Sequence, residues 1–106
     1  MLLNIYLFLF FSIFNTIENP KTETFKVWGN CGMCKKTIET ALKKKGVEGN
    51  WNKKTKIISV TYDSLKYTSQ QVHEIICSAG YDTEKCRGND DAYNNLHECC
   101  QYKRRE

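Results

Sequence analysis

The residues of this sequence best suited to chemistry are its six cysteines, of which Cys31 and Cys34 form a Cys-x-x-Cys pair in the stretch VWGNCGMCKK, residues 27–36. The pair stands where a strand-like alternation ends and a lysine-rich helical pattern begins. At the start of a helix, backbone N–H groups and the helix dipole favour the thiolate, the form that binds metals and attacks disulfides. Two soft thiolates at this spacing suit Cu(I) in a near-linear site, and can also hold Hg(II), or Zn(II) with further ligands.

Two other uses of the pair remain open. A thiol–disulfide exchange protein of the thioredoxin-like type also places Cys-x-x-Cys at a helix start, but a cis-proline faces the cysteines there and the only proline here is Pro20. A structural disulfide between Cys31 and Cys34 would close too short a loop to remove much entropy from the unfolded chain. The comparison favours metal binding.

The second predicted helix carries another pair of potential ligands. Cys77 lies about 140° around that helix from Val72, away from the apolar stripe and on the side of His73 one turn earlier. A His-x-x-x-Cys pair on an exposed face can bind a metal, although such pairs also arise by chance.

The C-terminal stretch LHECCQY concentrates soft ligands, since Cys99 and Cys100 follow His97 closely. Adjacent cysteines rarely pair with each other, because the ring they form strains the intervening peptide. In an oxidising compartment, a bridge from this stretch to Cys86 or Cys77 would hold the tail across the domain. The alternative is a second metal site built from the same soft ligands: Cys77, Cys86, His97, Cys99 and Cys100.

Alternating apolar and polar residues predict four strands, and a 3.6-residue period predicts two helices. The first helix begins at Cys34 and ends at Gly46; the second is capped by Thr68 or Ser69 and ends at Gly80. Each helix has one apolar stripe that a sheet can cover. The predicted strands cover residues 24–28, 47–52, 56–62 and 81–86.

This order of elements predicts an α+β fold of the ferredoxin-like type, a βαββαβ sandwich in which two helices cover one face of a four-stranded antiparallel sheet. Residues 87–106 follow as a polar, flexible tail that contains the cysteine pair and a short helix over residues 90–98. At 106 residues, the chain is too short for two domains with separate cores.

The N-terminal segment differs sharply from the rest of the chain. The first sixteen residues, MLLNIYLFLFFSIFNT, carry no charged side chain. The apolar run ends near Phe14, short of the ~20 residues that span a membrane, which favours an export signal over an anchor. We therefore predict that residues 1–19 are a signal peptide, with a membrane anchor as the alternative, and that the domain is exported or periplasmic.

The charge pattern excludes some classes of partner. The net charge is +4, and basic residues are mixed with acidic ones rather than gathered in the basic stripe of a nucleic-acid-binding protein. No Ser/His/Asp set and no carboxylate pair is evident, so we expect no catalytic activity. Membrane contact is expected only through the N-terminal segment, if it is not cleaved.

Residues 24–86 resemble the heavy-metal-associated domain, the family of copper chaperones, periplasmic mercury-binding proteins and the N-terminal modules of copper-pumping ATPases. The resemblance rests on the Cys-x-x-Cys at the first strand–helix junction, on IETAL in the helix behind it, on ISVTYD in the third strand, and on Gly80-Tyr81. It implies that Cys31 and Cys34 are the metal ligands. It also implies that Tyr81 is the aromatic residue that shields the metal loop in bacterial members.

The chain departs from the family pattern in the metal loop. The usual loop has a Met two residues before the first cysteine, packed under the loop, whereas here Gly29-Asn30 occupies that region and Met33 lies between the cysteines. We expect Met33 to fill the vacated space, with ligation by its thioether as the alternative.

The function predicted from these residues and this resemblance is that of an exported protein, of bacterial type, that binds Cu(I) first, and Hg(II) or Zn(II) next, through Cys31 and Cys34. An exposed two-ligand site lets a partner's thiols take the ion by ligand exchange. The expected partner is a metal-transporting ATPase or another thiol-bearing metal-binding domain. Two alternatives are a periplasmic thiol–disulfide redox protein that uses the same pair, and an interaction module that keeps the fold without delivering metal.

Overall fold

The computed structural model describes residues 17–106. Residues 1–16, on which most of the predicted signal peptide or anchor falls, lie outside this part. Within residues 17–106, no helix has the length and apolar character that crossing a membrane requires. The described elements are β1 (Pro20–Lys26), α1 (Gly32–Lys43), β2 (Glu48–Trp51), β3 (Ile57–Asp63), α2 (Ser69–Ser78), α3 (Asp90–Asn94) and a 3-10 turn (Glu98–Cys100).

The three strands form an antiparallel sheet in the order β1-β3-β2. Strand β3 is central, and Ile58, Val60 and Tyr62 alternate into the core. This confirms the period-two reading of that stretch. The small α+β fold predicted from the sequence is therefore present, with one strand fewer in its sheet.

Both predicted helices are present and contribute to one core. In α1 the buried positions Cys34, Ile38 and Leu42 recur every four residues, as an amphipathic helix requires. The helix begins at Gly32, two residues before its predicted start. Thr68 caps α2 through a capping box with Gln71, which satisfies two backbone N–H groups that would otherwise lack partners.

The predicted fourth strand over residues 81–86 is wrong for the described structure. Only Val27 and Thr83 pair there, as an isolated antiparallel bridge beside the end of β1. Immediately afterwards the chain turns back, because the N–H of Thr83 donates to the carbonyl of Cys86. The segment therefore lies where a fourth strand would run, but it forms a turn, and the ferredoxin-like arrangement is realised only in part.

The tail predicted to be polar and flexible is instead packed into the fold. Tyr102 is 2% exposed, stacks on Tyr81 and meets Tyr93 edge to face. Its hydroxyl donates to the carbonyl of Gly80 (2.7 Å) and accepts from the N–H of Asp82 (2.8 Å). Of the helix predicted over residues 90–98, α3 covers only Asp90–Asn94, and the separate 3-10 turn begins at Glu98.

A buried carboxylate, Asp82, holds the last residues of this tail. It accepts hydrogen bonds from the N–H groups of Gly88 (2.7 Å) and Arg105 (2.9 Å), and it pairs with the Arg104 guanidinium (3.2 Å). Burial raises the pKa of Asp82, but these three donors outweigh it and leave the pKa below its ordinary value. The carboxylate is therefore kept charged inside the fold.

The segment behind Asp82 needs a glycine. Gly80 has φ +101°, a conformation that other residues avoid, and a Cβ there would lie 2.8 Å from the backbone nitrogen of Tyr93. The glycine predicted to end α2 therefore also lets the tail pass close behind the helix.

Candidate metal centre

Cys31 and Cys34 lie at the start of α1, as the sequence predicted for a strand–helix junction. Cys31 is the N-cap residue, with extended backbone, and Cys34 is in the first turn. Their sulfurs are 3.8 Å apart. Cys34 is fully buried, whereas Cys31 is partly exposed. The N–H of Asn30 donates to the sulfur of Cys34 at 3.4 Å, so one backbone donor of the loop is directed at that sulfur.

The helix start lowers the pKa of the Cys31 thiol. Its side chain makes no capping hydrogen bond, but the nearby N–H of Cys34, and after it that of Met33, lower the pKa of Cys31 to about 7. A substantial fraction of Cys31 is therefore thiolate at neutral pH. That is the form in which cysteine binds a soft metal ion.

The residue packed beneath the metal loop is Trp51. A Cβ at Gly29 would lie 2.9 Å from two carbons of the Trp51 ring, so the indole fits closely against the loop only because residue 29 has no side chain. The Trp51 Nε1–H donates to the carbonyl of Val27 (3.0 Å). The prediction that Met33 fills this space is wrong, because its side chain is 45% exposed.

Tyr81 lies on the inner side of the cysteines. Its ring is fully buried, and its hydroxyl has no hydrogen-bond partner among the described residues. Burial, followed by the closeness of Cys34 and Cys100, raises the pKa of Tyr81. The hydroxyl is thus a protonated donor beside the thiols, at the place that the family resemblance gives to the shielding aromatic residue.

Cys99 and Cys100 join the Cys-x-x-Cys loop instead of forming a separate site. The sulfurs of Cys31, Cys99 and Cys100 all lie within 4.8 Å of one another. The thiol of Cys31 donates to the carbonyl of Cys99 (3.6 Å), and the thiol of Cys99 contacts the sulfur of Met33 (3.7 Å). Burial, and then the neighbouring Cys34 thiol, raise the pKa of Cys100 to about 12. Four cysteines and one thioether thus meet at the loop.

The other predicted ligands, Cys77, Cys86 and His97, do not join the sulfurs at the loop. Cys77 and Cys86 form a disulfide with each other, so the predicted bridge from the tail to either of them is wrong. The physical reason is the turn at Thr83, which carries Cys86 back over α2. His97 is exposed at the start of the 3-10 turn. Among the described residues, the ligand atoms that cluster are those of Cys31, Cys99 and Cys100, without His97.

The face of α2 that carries His73 and Cys77 is buried, contrary to the prediction that it points away from the core. The His73 ring stacks on Phe25 (3.7 Å between centroids), and its Nδ1 shares a 2.6 Å hydrogen bond with the Thr83 hydroxyl. Desolvation by burial, with a further contribution from Lys85, lowers the pKa of His73. This His-x-x-x-Cys pair is therefore structural, with a neutral, hydrogen-bonded histidine beside a disulfide.

The pairing of the cysteines predicts how many of them an alkylating reagent modifies. The unreduced protein, unfolded and alkylated, should give four modified cysteines, namely Cys31, Cys34, Cys99 and Cys100, and six after reduction. The Cys77–Cys86 bond joins residues separated by 9 positions in the sequence. For a loop of that size, the chain-entropy relation predicts that reduction lowers the free energy of unfolding by about 2.7 kcal/mol. Mass spectrometry of the alkylated peptides checks the count.

The matched control is the Cys77→Ala/Cys86→Ala variant, which should give the same count with and without reductant. Six modified cysteines in unreduced protein from an oxidising compartment would contradict the Cys77–Cys86 bridge.

Comparisons with known proteins agree with this geometry. The chain matches the solved structure of the CopZ metallochaperone at 35% identity, over 59% of this chain and 98% of that chain, with a TM-score of 0.56. It also matches the solution structure of the "putative copper-ion-binding protein from Bacillus anthracis str. Ames" at 29% identity, over 61% of this chain and 96% of that chain, with a TM-score of 0.56. No family model matches the sequence, and no curated protein matches it.

These matches span nearly all of each smaller protein and leave about two fifths of this chain outside them. Identity of 35% over nearly all of a metallochaperone, together with the shared fold, carries more weight than the Cys-x-x-Cys spacing alone. The chain belongs to the heavy-metal-associated domain family.

Proposed function

We propose that this protein carries a soft metal ion, Cu(I) before Hg(II) or Zn(II), which it binds through Cys31 and Cys34 and passes to a thiol-bearing partner. The observation that carries the proposal is the pair of sulfurs 3.8 Å apart at the start of α1, in a chain of the heavy-metal-associated family. Copper is the first choice because both solved structures that it matches are named for copper binding or metallochaperone activity.

The donor atoms at the loop fit a soft ion as cargo. Thiolates prefer soft metals such as Cu(I), and hard ions such as Mg²⁺ prefer oxygen ligands. The unpartnered hydroxyl of Tyr81 lies beside Cys34 and can donate to a metal-bound thiolate there. Such a hydrogen bond would stabilise negative charge on the bound sulfur.

Partial exposure of Cys31 supports transfer by ligand exchange. A partner's thiolate can bond to Cu(I) while the bond from Cys31 to the ion breaks, and the freed Cys31 thiolate then takes a proton from solvent. A metal-transporting ATPase or another heavy-metal-associated domain supplies thiols of this kind. We propose such a domain as the recipient.

The disulfide between Cys77 and Cys86 supports export, since disulfides persist in oxidising compartments and are rare in the cytosol. We propose that residues 1–19 direct the chain to the periplasm or another exported location, either as a cleaved signal or as an anchor.

The proposed transfer is tested with a recipient of the same family. Protein loaded anaerobically with one equivalent of Cu(I) is mixed with an apo heavy-metal-associated domain, and the two are separated by ion exchange. We expect copper to redistribute until it reaches the same partition from either direction.

A recipient whose two cysteines are replaced by Ser is the matched control and should receive no copper. Equal delivery to both recipients would mean that the recipient takes up copper without its two cysteines and would contradict transfer from thiol to thiol. Failure of the protein to bind Cu(I), combined with insulin reduction that depends on Cys31, would favour the redox alternative, for which the lowered pKa of Cys31 is also suited.

A further inference from the structure

We propose that Cys99 and Cys100 complete the metal site of the Cys-x-x-Cys loop, so that one chain encloses its ion with at least three thiolates. The proposal rests on the proposed function, in which Cys31 and Cys34 hold a soft cation. It adds two ligands that lie outside the domain to which the chain is similar, and it makes departure of the tail sulfurs part of metal release.

The first argument is the distance between the sulfurs. Cys31 and Cys34 are separated by 3.8 Å, and Cys99 and Cys100 are also separated by 3.8 Å. With metal–sulfur bonds of about 2.3 Å, opposite ligands of a linear site lie about 4.6 Å apart, those of a trigonal site about 4.0 Å, and those of a tetrahedral site about 3.8 Å. The separation within each pair therefore fits a trigonal or tetrahedral site better than a linear one, and the loop and tail sulfurs of Cys31, Cys99 and Cys100 lie within 4.8 Å of one another.

The second argument is that the tail is held at the loop from both sides. On the loop side, the carbonyl of Cys99 accepts from the Cys31 thiol (3.6 Å) and from Nδ2 of Asn30 (3.4 Å). On the other side, the buried hydroxyl of Tyr102 donates to the Gly80 carbonyl. The cysteine pair is thus fixed between two anchored points, which lowers the entropy cost of bringing its sulfurs to an ion.

The third argument is the buried hydroxyl of Tyr81. It lacks a hydrogen-bond partner among residues 17–106, although a buried polar group without one is costly. The groups that it approaches are the thiols of Cys34 and Cys100, one from the loop and one from the tail. A metal-bound thiolate on either residue would accept the missing hydrogen bond.

The arrangement has a consequence for transfer. Cys99 is exposed, whereas Cys34 and Cys100 are buried, so Cys99 lies on the solvent side of the site, where a partner's thiols must approach. When the ion binds, each coordinating thiol releases its proton to solvent. When the ion leaves, an incoming thiolate bonds to it as the bond from Cys99 breaks, and Cys99 regains a proton.

The test is X-ray absorption at the copper edge, using the full chain loaded with one equivalent of Cu(I) in a buffer without thiols. We expect three or four sulfur neighbours in the wild type, one fewer in Cys99→Ser, and two, with shorter bonds, in Cys99→Ser/Cys100→Ser. Cys99→Ser changes an exposed residue, so it still tests the proposal if the double variant does not fold. Lys103→Ser, an exposed tail substitution, is the matched control and should give the wild-type spectrum.

Transfer to the recipient domain supplies a second readout. Because the incoming thiolate must displace Cys99, the Cys99→Ser variant should deliver copper faster than the wild type, while Lys103→Ser should not. An unchanged rate would overturn the proposed part of the tail in release.

The possible failures are distinguishable. Two sulfur neighbours in the wild type, or identical spectra for the wild type and Cys99→Ser/Cys100→Ser, would overturn this inference and leave binding by Cys31 and Cys34 standing. A wild-type protein that binds no Cu(I) would overturn both the inference and the proposed function.

Discussion

Replacing both Cys31 and Cys34 with Ser should abolish stoichiometric Cu(I) binding and leave the domain folded. A hydroxyl is a poor ligand for a soft cation, so the variant loses both donors of the loop. The fold should tolerate the change because a serine hydroxyl at position 34 can accept the hydrogen bond that the Asn30 N–H now gives to sulfur. Competition with a chromophoric Cu(I) chelator measures the loss, and circular dichroism measures the fold.

The control for this variant is Lys36→Ser, which changes an exposed residue of α1 two positions after Cys34. Because Lys36 carries no sulfur and lies outside the cysteine cluster, this substitution should leave stoichiometric binding intact. If the double serine variant kept the wild-type affinity, the site would lie elsewhere in the chain, with Cys99 and Cys100 as the first residues to replace.

The position of the Cys-x-x-Cys pair could be predicted because its signal is local. A period-two stretch that changes to a helical period fixes a strand–helix junction within a few residues, and Cys31 and Cys34 occupy that junction. The central strand could be predicted in the same way, because Ile58, Val60 and Tyr62 alternate on a face that must be buried. Short-range periodicity therefore predicted the part of the fold that presents the loop.

The position of the tail could not be predicted in this way. Cys99 contacts Cys31 across 68 residues of sequence, and no periodic pattern links the two. The tail reads as polar, yet Tyr102 is buried, and Asp82 is a charged residue fully inside the fold. Such residues are read as exposed unless their partners are known.

The face of α2 illustrates the same limit. The apolar stripe of the helix predicts that His73, on another side, faces solvent. In the structure, Phe25 and the turn at Thr83 cover that side of the helix. By contrast, the packing beneath the loop had a signal that could have been used. Gly29 stands where the family has a large side chain, so another large residue had to supply the missing volume, and Trp51 does so.

Replacing Asp82 with Ala should lower the free energy of unfolding by about 3–5 kcal/mol, the usual cost of breaking a buried ion pair by removing one partner. The Arg104 side chain is 14% exposed and would lose its buried counter-charge. The N–H groups of Gly88 and Arg105 would lose their acceptor. Urea unfolding at neutral pH measures the difference, and faster alkylation of Cys100 reports that the tail has left the loop.

Asp90→Ala is the matched control, because Asp90 binds the same Arg104 from a position that is 76% exposed. Exposed ion pairs contribute about 0–1 kcal/mol to stability. The free energy of unfolding of this variant should therefore stay close to that of the wild type. Equal losses of stability in the two variants would contradict a special role for the buried carboxylate.

Acid provides a separate check on Asp82. Its pKa is lower in the folded protein than the ordinary 3.8, so the folded state binds fewer protons at this group than the unfolded state does. The stabilisation is therefore complete above pH 3.8 and is lost as the pH falls through the lower pKa of the folded protein. The difference in unfolding free energy between the wild type and Asp82→Ala should shrink over that range. A difference that stayed constant through it would mean that the charge of Asp82 does not hold the tail against the metal loop.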